Sequence, residues 1–207
     1  YIVCLAEYRI SNTAPFPAQI IDVKTAIRFV RANAEKFRAD PDRIAVMGDS
    51  AGGHLVSLAG LTPDKPEFKG DQWSAVSDRV QAVVDWYGVV DLVAAAKARG
   101  ADRSAIPPTA NLVKLLGGYP QDKMELAREA SPIEYVSPSA PPFLILHGDK
   151  DTLVPFAQSQ ALYDKLTAAG VPCDLIIVKG AAHATVEFSQ EKLLAAIADW
   201  LDENMEA

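Results

Sequence analysis

The segment Val46-Met47-Gly48-Asp49-Ser50-Ala51-Gly52-Gly53-His54 constrains the fold more than any other stretch of this chain. It reads Gly-x-Ser-x-Gly, after a short apolar run and before the apolar Leu55, Val56 and Leu58 of a helical pattern. A serine thrust out on a strand-to-helix turn takes a strained backbone conformation. The positions two before and two after it then pack too closely for side chains. Gly48 and Gly52 answer that demand. The helix that follows aims its amino terminus at the serine, so the Ala51 N–H can donate to an oxygen gaining negative charge. The segment is therefore expected to be a nucleophile turn, built on Gly48, Asp49 and Gly52, with Ser50 as nucleophile and Ala51 as an oxyanion donor.

A nucleophilic serine needs a base, and the base needs an orienting acid. The chain has three histidines, His54, His147 and His183. His54 follows Ser50 by four positions on the turn helix, which points it away from the exposed serine tip. His147 ends a strand-like run, and the acids Asp149 and Asp151 come after it rather than before. In this kind of fold the chain order is serine, acid, histidine. His183, in the small-residue loop Gly180-Ala-Ala-His-Ala184, fits that order and can reach across the strand tips. For the acid, Asp151 is preferred, beyond the His147-Gly-Asp149 turn and just before a helix opened by Pro155. Asp149 is read as holding the turn through backbone N–H groups, and Asp85, after the Val80–Val84 run, is a further alternative.

The rest of the chain alternates strand-like and helical patterns, which implies βαβ crossovers and a mostly parallel sheet covered on both faces. Tyr1–Ala6 reads as a buried strand, followed by strands at Arg43–Met47, Val80–Val84, Phe143–Leu146 and Leu175–Val178. Ile20, Val23, Ile27, Val30, Ala34 and Phe37 recur at helical spacing, with Asp22, Lys24, Arg28, Arg31 and Glu35 as the solvated face. A helix closed by Gly170 and Pro172, and a last one carrying Phe188, Leu193, Ile197, Trp200 and Leu201, complete the pattern. No linker or repeat divides the 207 residues, so one α/β domain is expected, with cap or lid insertions near 62–77 and 100–139. Cys4 and Cys173 lie in apolar runs and are expected to be buried thiols. Trp73, Trp86, Tyr87 and Tyr119 are either core residues or the lining of an aromatic acyl or sugar site.

Composition removes other classes. With 20 basic against 27 acidic residues, a net charge of −7, the chain lacks the basic balance of a nucleic-acid binder. No apolar run approaches the roughly 18–20 residues of a membrane helix, and the opening residues from Tyr1 are read as mid-strand rather than as a signal peptide.

Taken together, these segments resemble the α/β-hydrolase superfamily, and within it the hormone-sensitive-lipase-like and bifunctional feruloyl and acetyl-xylan esterases. The matching residues run in family order: Glu7-Tyr-Arg-Ile-Ser11 to Phe16-Pro17, Asp22-Val23, Asp40-Pro-Asp-Arg-Ile44, Gly48 to Leu55, Ala140-Pro-Pro-Phe143, His147-Gly-Asp149 with Asp151 and Val154-Pro155, and His183. The resemblance implies Ser50 as nucleophile, His183 as general base and Asp151 as orienting acid. It implies hydrolysis of small acyl esters through an acyl-enzyme, without a metal or organic cofactor, with small-molecule or carbohydrate esters as substrates. An arylformamidase-like amide hydrolase and a non-catalytic ligand-binding protein of the same fold are the alternatives.

One departure accompanies the match. Similar enzymes carry an upstream His-Gly-Gly-type segment that completes the oxyanion hole, and the sequence begins at what would be the strand after it. An amino-terminal truncation is one expectation, lowering activity by about 10²–10³. It would also open a slot beside Ile44–Met47, filled either by Tyr1–Ala6 itself or by another chain, which would make a homo-oligomer.

Overall fold

Four short apolar runs form a single parallel sheet: β1 (Ala45–Asp49), β2 (Ala82–Trp86), β3 (Phe143–Gly148) and β4 (Cys173–Val178), adjacent in chain order. The computed structural model describes residues 1–98 and 107–205. The register sets Gly48 beside Asp85 and Asp49 beside Trp86, then Val84 beside Leu144 and Gly148 beside Val178. Because side chains alternate faces along a strand, the sheet feeds two cores. Val83, Phe143 and Ile145 join one core, against helices α1 (Ala18–Ala32) and α3 (Ala51–Leu61). Ala82, Val84, Leu144 and Leu146 join the other, with Phe188, Ile197, Trp200 and Met205. All seven of these strand side chains are at most 1% exposed, as expected for parallel strands covered on both faces.

The remaining helices are α2 (Ala34–Phe37), α4 (Leu92–Ala98), α5 (Asn111–Leu116), α6 (Met124–Glu129), α7 (Ala157–Ala168) and α8 (Glu191–Asn204). The pattern through Phe37 thus breaks into two helices, with Asn33 between them closing α1 by donating its N–H to Phe29 and Val30. Helix α7 ends as the sequence implies: Gly170 takes a left-handed φ of 75°, and the Val171 N–H returns to the Leu166 carbonyl.

Two residues of the expected solvated face of α1 are instead fully buried. Lys24 and Arg28 both reach Asp78, at 3.0 Å each, and all three side chains are inaccessible. Lys24 also donates to the Thr62 carbonyl, and Arg28 to the carbonyls of Lys69 and Gln72. Asp78 is about fifty residues away in sequence, so helical periodicity has no means of registering the counter-charge. The network fastens the connection between α3 and β2 onto α1. Since α3 starts at the carboxyl end of β1 and runs back to the start of β2, Thr62–Ser77 lies at the end of the sheet opposite Ser50, whereas a cap or lid over the site would cover the carboxyl ends. The second stretch, 100–139, has its first residues, 100–106, outside the described residues. From 107 onward it is mostly short helices, and Leu112, Leu116, Ala127 and Ala130 pack into the core that α3 shares.

Tyr1–Ala6 is not a strand. It carries no sheet hydrogen bonds, and Tyr1, Ile2, Val3 and Leu5 are 53–96% exposed. Its run of apolar residues has the composition of a strand, but it lies off the sheet. It does not pair with β1, which forms one edge of the sheet and leaves Met47 56% exposed. Instead the Tyr1 hydroxyl bonds to the Asp202 carboxylate on α8. The same displacement leaves Cys4 exposed, contrary to its reading as a buried thiol. Cys173 is partly buried, and burial first, then Asp174 and Asp85, pushes its thiol up to about 12.

Candidate active site

At the carboxyl end of β1 the chain turns sharply into α3, and Ser50 sits on that turn with φ 51° and ψ −110°, a left-handed conformation costly for a residue with a Cβ. The turn is held from both sides. The Ser50 N–H continues the sheet ladder to the Trp86 carbonyl at 2.8 Å, and the Ser50 carbonyl accepts the first helical bond from His54 at 3.0 Å. A Cβ at Gly48 would lie 2.6 Å from the Gly52 carbonyl carbon and oxygen, so glycine is obligatory there. Gly52 differs from the reading of the sequence: a Cβ at that position would meet only Asp49 Oδ1, at 3.9 Å. What Gly48 requires is the close approach of the Gly52 backbone. Ala51 is the first residue of α3, where a helix N–H has no intrahelical acceptor and faces the anion-attracting end of the dipole.

Position 53 is the tight one. A Cβ on Gly53 would lie 2.3 Å from Asp85 Oδ1 and 2.9 Å from both Gly88 Cα and the Trp86 carbonyl. Asp85 is fully buried on β2, accepting the Gly88 N–H at 2.9 Å and the Ser57 hydroxyl at 3.1 Å. Burial pushes its carboxyl up to about 6, against the pull of those two donors. It bolts the first turns of α3 to the loop after β2 and makes no bond to a histidine. The sequence reading missed this contact, for which the doublet Gly52-Gly53 and the pair Tyr87-Gly88 at a strand tip are the available signals.

Three side chains from three separate loops converge at the strand tips. His183 Nε2 lies 2.8 Å from Ser50 Oγ, and His183 Nδ1 lies 2.7 Å from Asp151 Oδ2. Asp151 Oδ1 accepts the N–H groups of Leu153 and Val154, both at 2.9 Å. Burial works against the Asp151 charge, but the Val154 N–H, His183 and the Leu153 N–H outweigh it and hold the carboxyl below its usual range. An ionised Asp151 fixes the proton of His183 on Nδ1, which leaves Nε2 free to accept from the serine hydroxyl.

The other candidates do not reach Ser50, although His147 Nε2 lies 3.4 Å from Asp151 Oδ2. His54 is 5% exposed and bonds the Ala130 carbonyl at 2.7 Å. His147 is fully buried, with Nδ1 2.7 Å from the Ser159 hydroxyl and Nε2 3.0 Å from the Val154 carbonyl. Burial lowers its pKa, so it serves as a neutral brace beneath the Asp151 loop. Asp149 accepts the Gly180 N–H at 2.7 Å, tying its turn to the loop that carries His183. Gly148 lets that loop approach, since a Cβ there would lie 2.3 Å from the Ala181 carbonyl.

Aromatic residues wall the histidine. The Tyr87 ring meets His183 edge-on at 4.8 Å and Phe188 at 4.5 Å, and Phe188 stacks on Trp86 at 5.7 Å. Tyr87 is 3% exposed, and burial, with Asp49 and Asp151 adding to it, raises its hydroxyl to about 12. Trp73 is remote, in the connection at the other end of the sheet. Among the described residues no group of three or more His, Cys, Asp or Glu could hold a metal, and no helix is long and apolar enough to cross a membrane.

Residues 1–166 match the BD-FAE protein family, across β1 to β3, the turn at Ser50 and the Asp151 loop. The chain belongs to the BD-FAE family. This BD-FAE chain is 40% identical over 172 residues to Esterase LipC of Mycobacterium tuberculosis, covering 80% of the chain and 40% of LipC. Among solved structures it superposes on a truncated form of a carbohydrate esterase from gut microbiota with a TM-score of 0.85 and 32% identity, over 96% of this chain and 72% of the other. An acetyl ester-xyloside bifunctional hydrolase from Caldicellulosiruptor lactoaceticus matches with a TM-score of 0.73 and 31% identity, over 95% and 66%. These neighbours and the parallel sheet identify the α/β-hydrolase fold. The chain spans about two-fifths of the length of the curated relatives it matches first.

Proposed function

We propose that this BD-FAE member is a serine carboxylesterase that hydrolyses small acyl esters through an acyl-enzyme. The observation that carries the reading is the unbroken line from Ser50 Oγ through His183 to Asp151, at 2.8 and 2.7 Å, beginning on a serine held at positive φ. In this reading Ser50 Oγ attacks the ester carbonyl carbon while its proton passes to His183 Nε2. Asp151 stabilises the imidazolium, and the Ala51 N–H donates to the oxygen that gains charge. Collapse of the tetrahedral intermediate releases the alcohol, which takes the proton from Nε2 and leaves an acyl group on Ser50. Water then repeats the sequence with His183 again as base, returning the carboxylic acid and free serine.

The proposed substrates are acetyl or feruloyl esters of plant polysaccharide. The support is the company of this chain: one neighbour is named as a carbohydrate esterase, another as an acetyl ester-xyloside bifunctional hydrolase. The LipC and LipM relatives, named as ester hydrolases, favour an ester over a formamide. Hydrolysis of p-nitrophenyl acetate and of acetylated xylo-oligosaccharides by wild type, Ser50→Ala and His183→Ala tests both levels. The expected result is turnover by wild type and a loss of about 10³-fold or more in each variant. Equal rates in wild type and Ser50→Ala would overturn the proposal. Turnover of the nitrophenyl ester without release of acetate from the oligosaccharide would refute only the substrate class.

A further inference from the structure

We propose that the surface between α1 and the 70–73 turn is a carbohydrate-binding site, separate from the Ser50 centre, that holds a neutral sugar chain against Trp73 and Phe29. The surface there is a shallow, open groove with a volume of about 310 Å³. Trp73 and Phe29 are 43% and 41% exposed and meet edge-on at 5.8 Å, with Phe37 a further 5.9 Å from Phe29. Half-exposed rings in this arrangement offer apolar contact to the C–H groups of a sugar ring.

The indole is presented at a conformational cost. Trp73 has φ 55°, a left-handed conformation unfavourable for a bulky side chain. The turn carrying it is fixed from beneath by Arg28, which is fully buried and donates to the carbonyls of Gln72 and Lys69. A connection needed only to join α3 to β2 requires neither the strain nor an exposed tryptophan. The polar rim fits hydroxyl groups: the Gln72 amide and the Glu7 carboxylate line the groove, and neither side chain has a protein hydrogen-bond partner among the described residues. The second acid there is neutralised. Both oxygens of Asp22 are taken by Arg9, at 2.7 and 2.8 Å, which leaves the Glu7 carboxylate and the Gln72 amide to meet the hydroxyl groups of a sugar. Trp73 lies at the end of the sheet opposite Ser50, so a chain bound here is anchored away from the reacting ester. That arrangement helps only with an oligomeric or polymeric substrate.

The test is calorimetric titration of unesterified xylohexaose and cellohexaose into wild type, Trp73→Ala, Phe29→Ala and Gln72→Ala. Thermal unfolding of each variant is followed, and p-nitrophenyl acetate hydrolysis is measured on the same samples. Binding of at least one oligosaccharide by wild type is expected, weakened about tenfold in Trp73→Ala and in Phe29→Ala, and about threefold in Gln72→Ala, with hydrolysis of the small ester unchanged. Gln72→Ala leaves the aromatic cluster intact and so reports on the site if an aromatic variant fails to fold. Binding that is equal in wild type and all folded variants, or no binding of either oligosaccharide by wild type, overturns the proposal. Displacement of the bound sugar by tetramethylammonium chloride also overturns it, in favour of a cation site. Xylohexaose is chosen because of the proposed substrate class; cellohexaose and the small-ester assay keep failure of that class, or of the esterase reading, separate from failure of the site.

Discussion

Replacing Asp85 by asparagine should stabilise the protein, by an amount that grows with pH. The carboxyl is buried beneath the turn at Ser50 and its pKa is pushed from 3.8 to about 6, because burial outweighs the donors Gly88 and Ser57. Each pH unit of such a rise is worth about 1.4 kcal/mol, so ionised Asp85 costs the native state about 3 kcal/mol. The sign follows from proton binding. Between about pH 4 and 6 the native protein keeps a proton that the unfolded chain has lost, so this group's contribution to stability falls as pH rises, and the full penalty is present above pH 6. Asparagine has the same shape; its Oδ1 can still accept the Gly88 N–H, and its amide can donate to the Ser57 hydroxyl. Urea unfolding of wild type and Asp85→Asn should therefore differ by about 3 kcal/mol at pH 8 and only about 1 kcal/mol at pH 4.5, the variant being more stable. A difference that does not change between the two pH values, or a variant less stable at pH 8, would refute the reasoning.

The two glycines flanking Ser50 should behave oppositely. Gly48→Ala forces a Cβ into the Gly52 backbone and is expected to abolish most esterase activity and destabilise by about 1–3 kcal/mol, read by turnover and thermal melting. Gly52→Ala has room, and within a helix it should be neutral or stabilising by up to about 1 kcal/mol in the same assays. Asp78→Ala leaves Lys24 and Arg28 buried without a counter-charge, and chemical denaturation should register a loss of about 3–5 kcal/mol. Asp151→Asn should fold normally, since the side-chain oxygen can still accept from Leu153 and Val154. Its kcat should fall about 10³–10⁴-fold through loss of the ionised partner of His183.

The hydrogen-bonded line of the proposed site, Ser50–His183–Asp151, was legible because each member sits on a local signature: glycines around a serine, an acid before a proline-opened helix, a histidine in a loop of small residues. The strands of the sheet were legible for a related reason, since apolar runs between amphipathic helices leave few topologies. What escaped were the contacts whose two halves lie far apart in sequence. Lys24 and Arg28 look like solvated helix residues until Asp78 folds over them. Gly53 and Gly88 look like ordinary turn glycines until Asp85 is placed between β2 and α3. Tyr1–Ala6 shows the reverse error, for an apolar run has the composition of a strand whether or not it pairs, and here it lies off the sheet while the edge of β1 stays open. Tyr87 was visible as an aromatic at a strand tip, but its packing on His183 depends on a loop nearly a hundred residues downstream.

The most direct test of the account is to trap the acyl-enzyme. Wild type and Ser50→Ala are mixed with p-nitrophenyl acetate, quenched in acid within the first turnovers, and analysed by intact mass and peptide mapping. The account predicts the mass gain of one acetyl group in wild type, on the peptide containing Ser50, and none in Ser50→Ala. An acetyl group on another residue, or the same gain in Ser50→Ala, would contradict it.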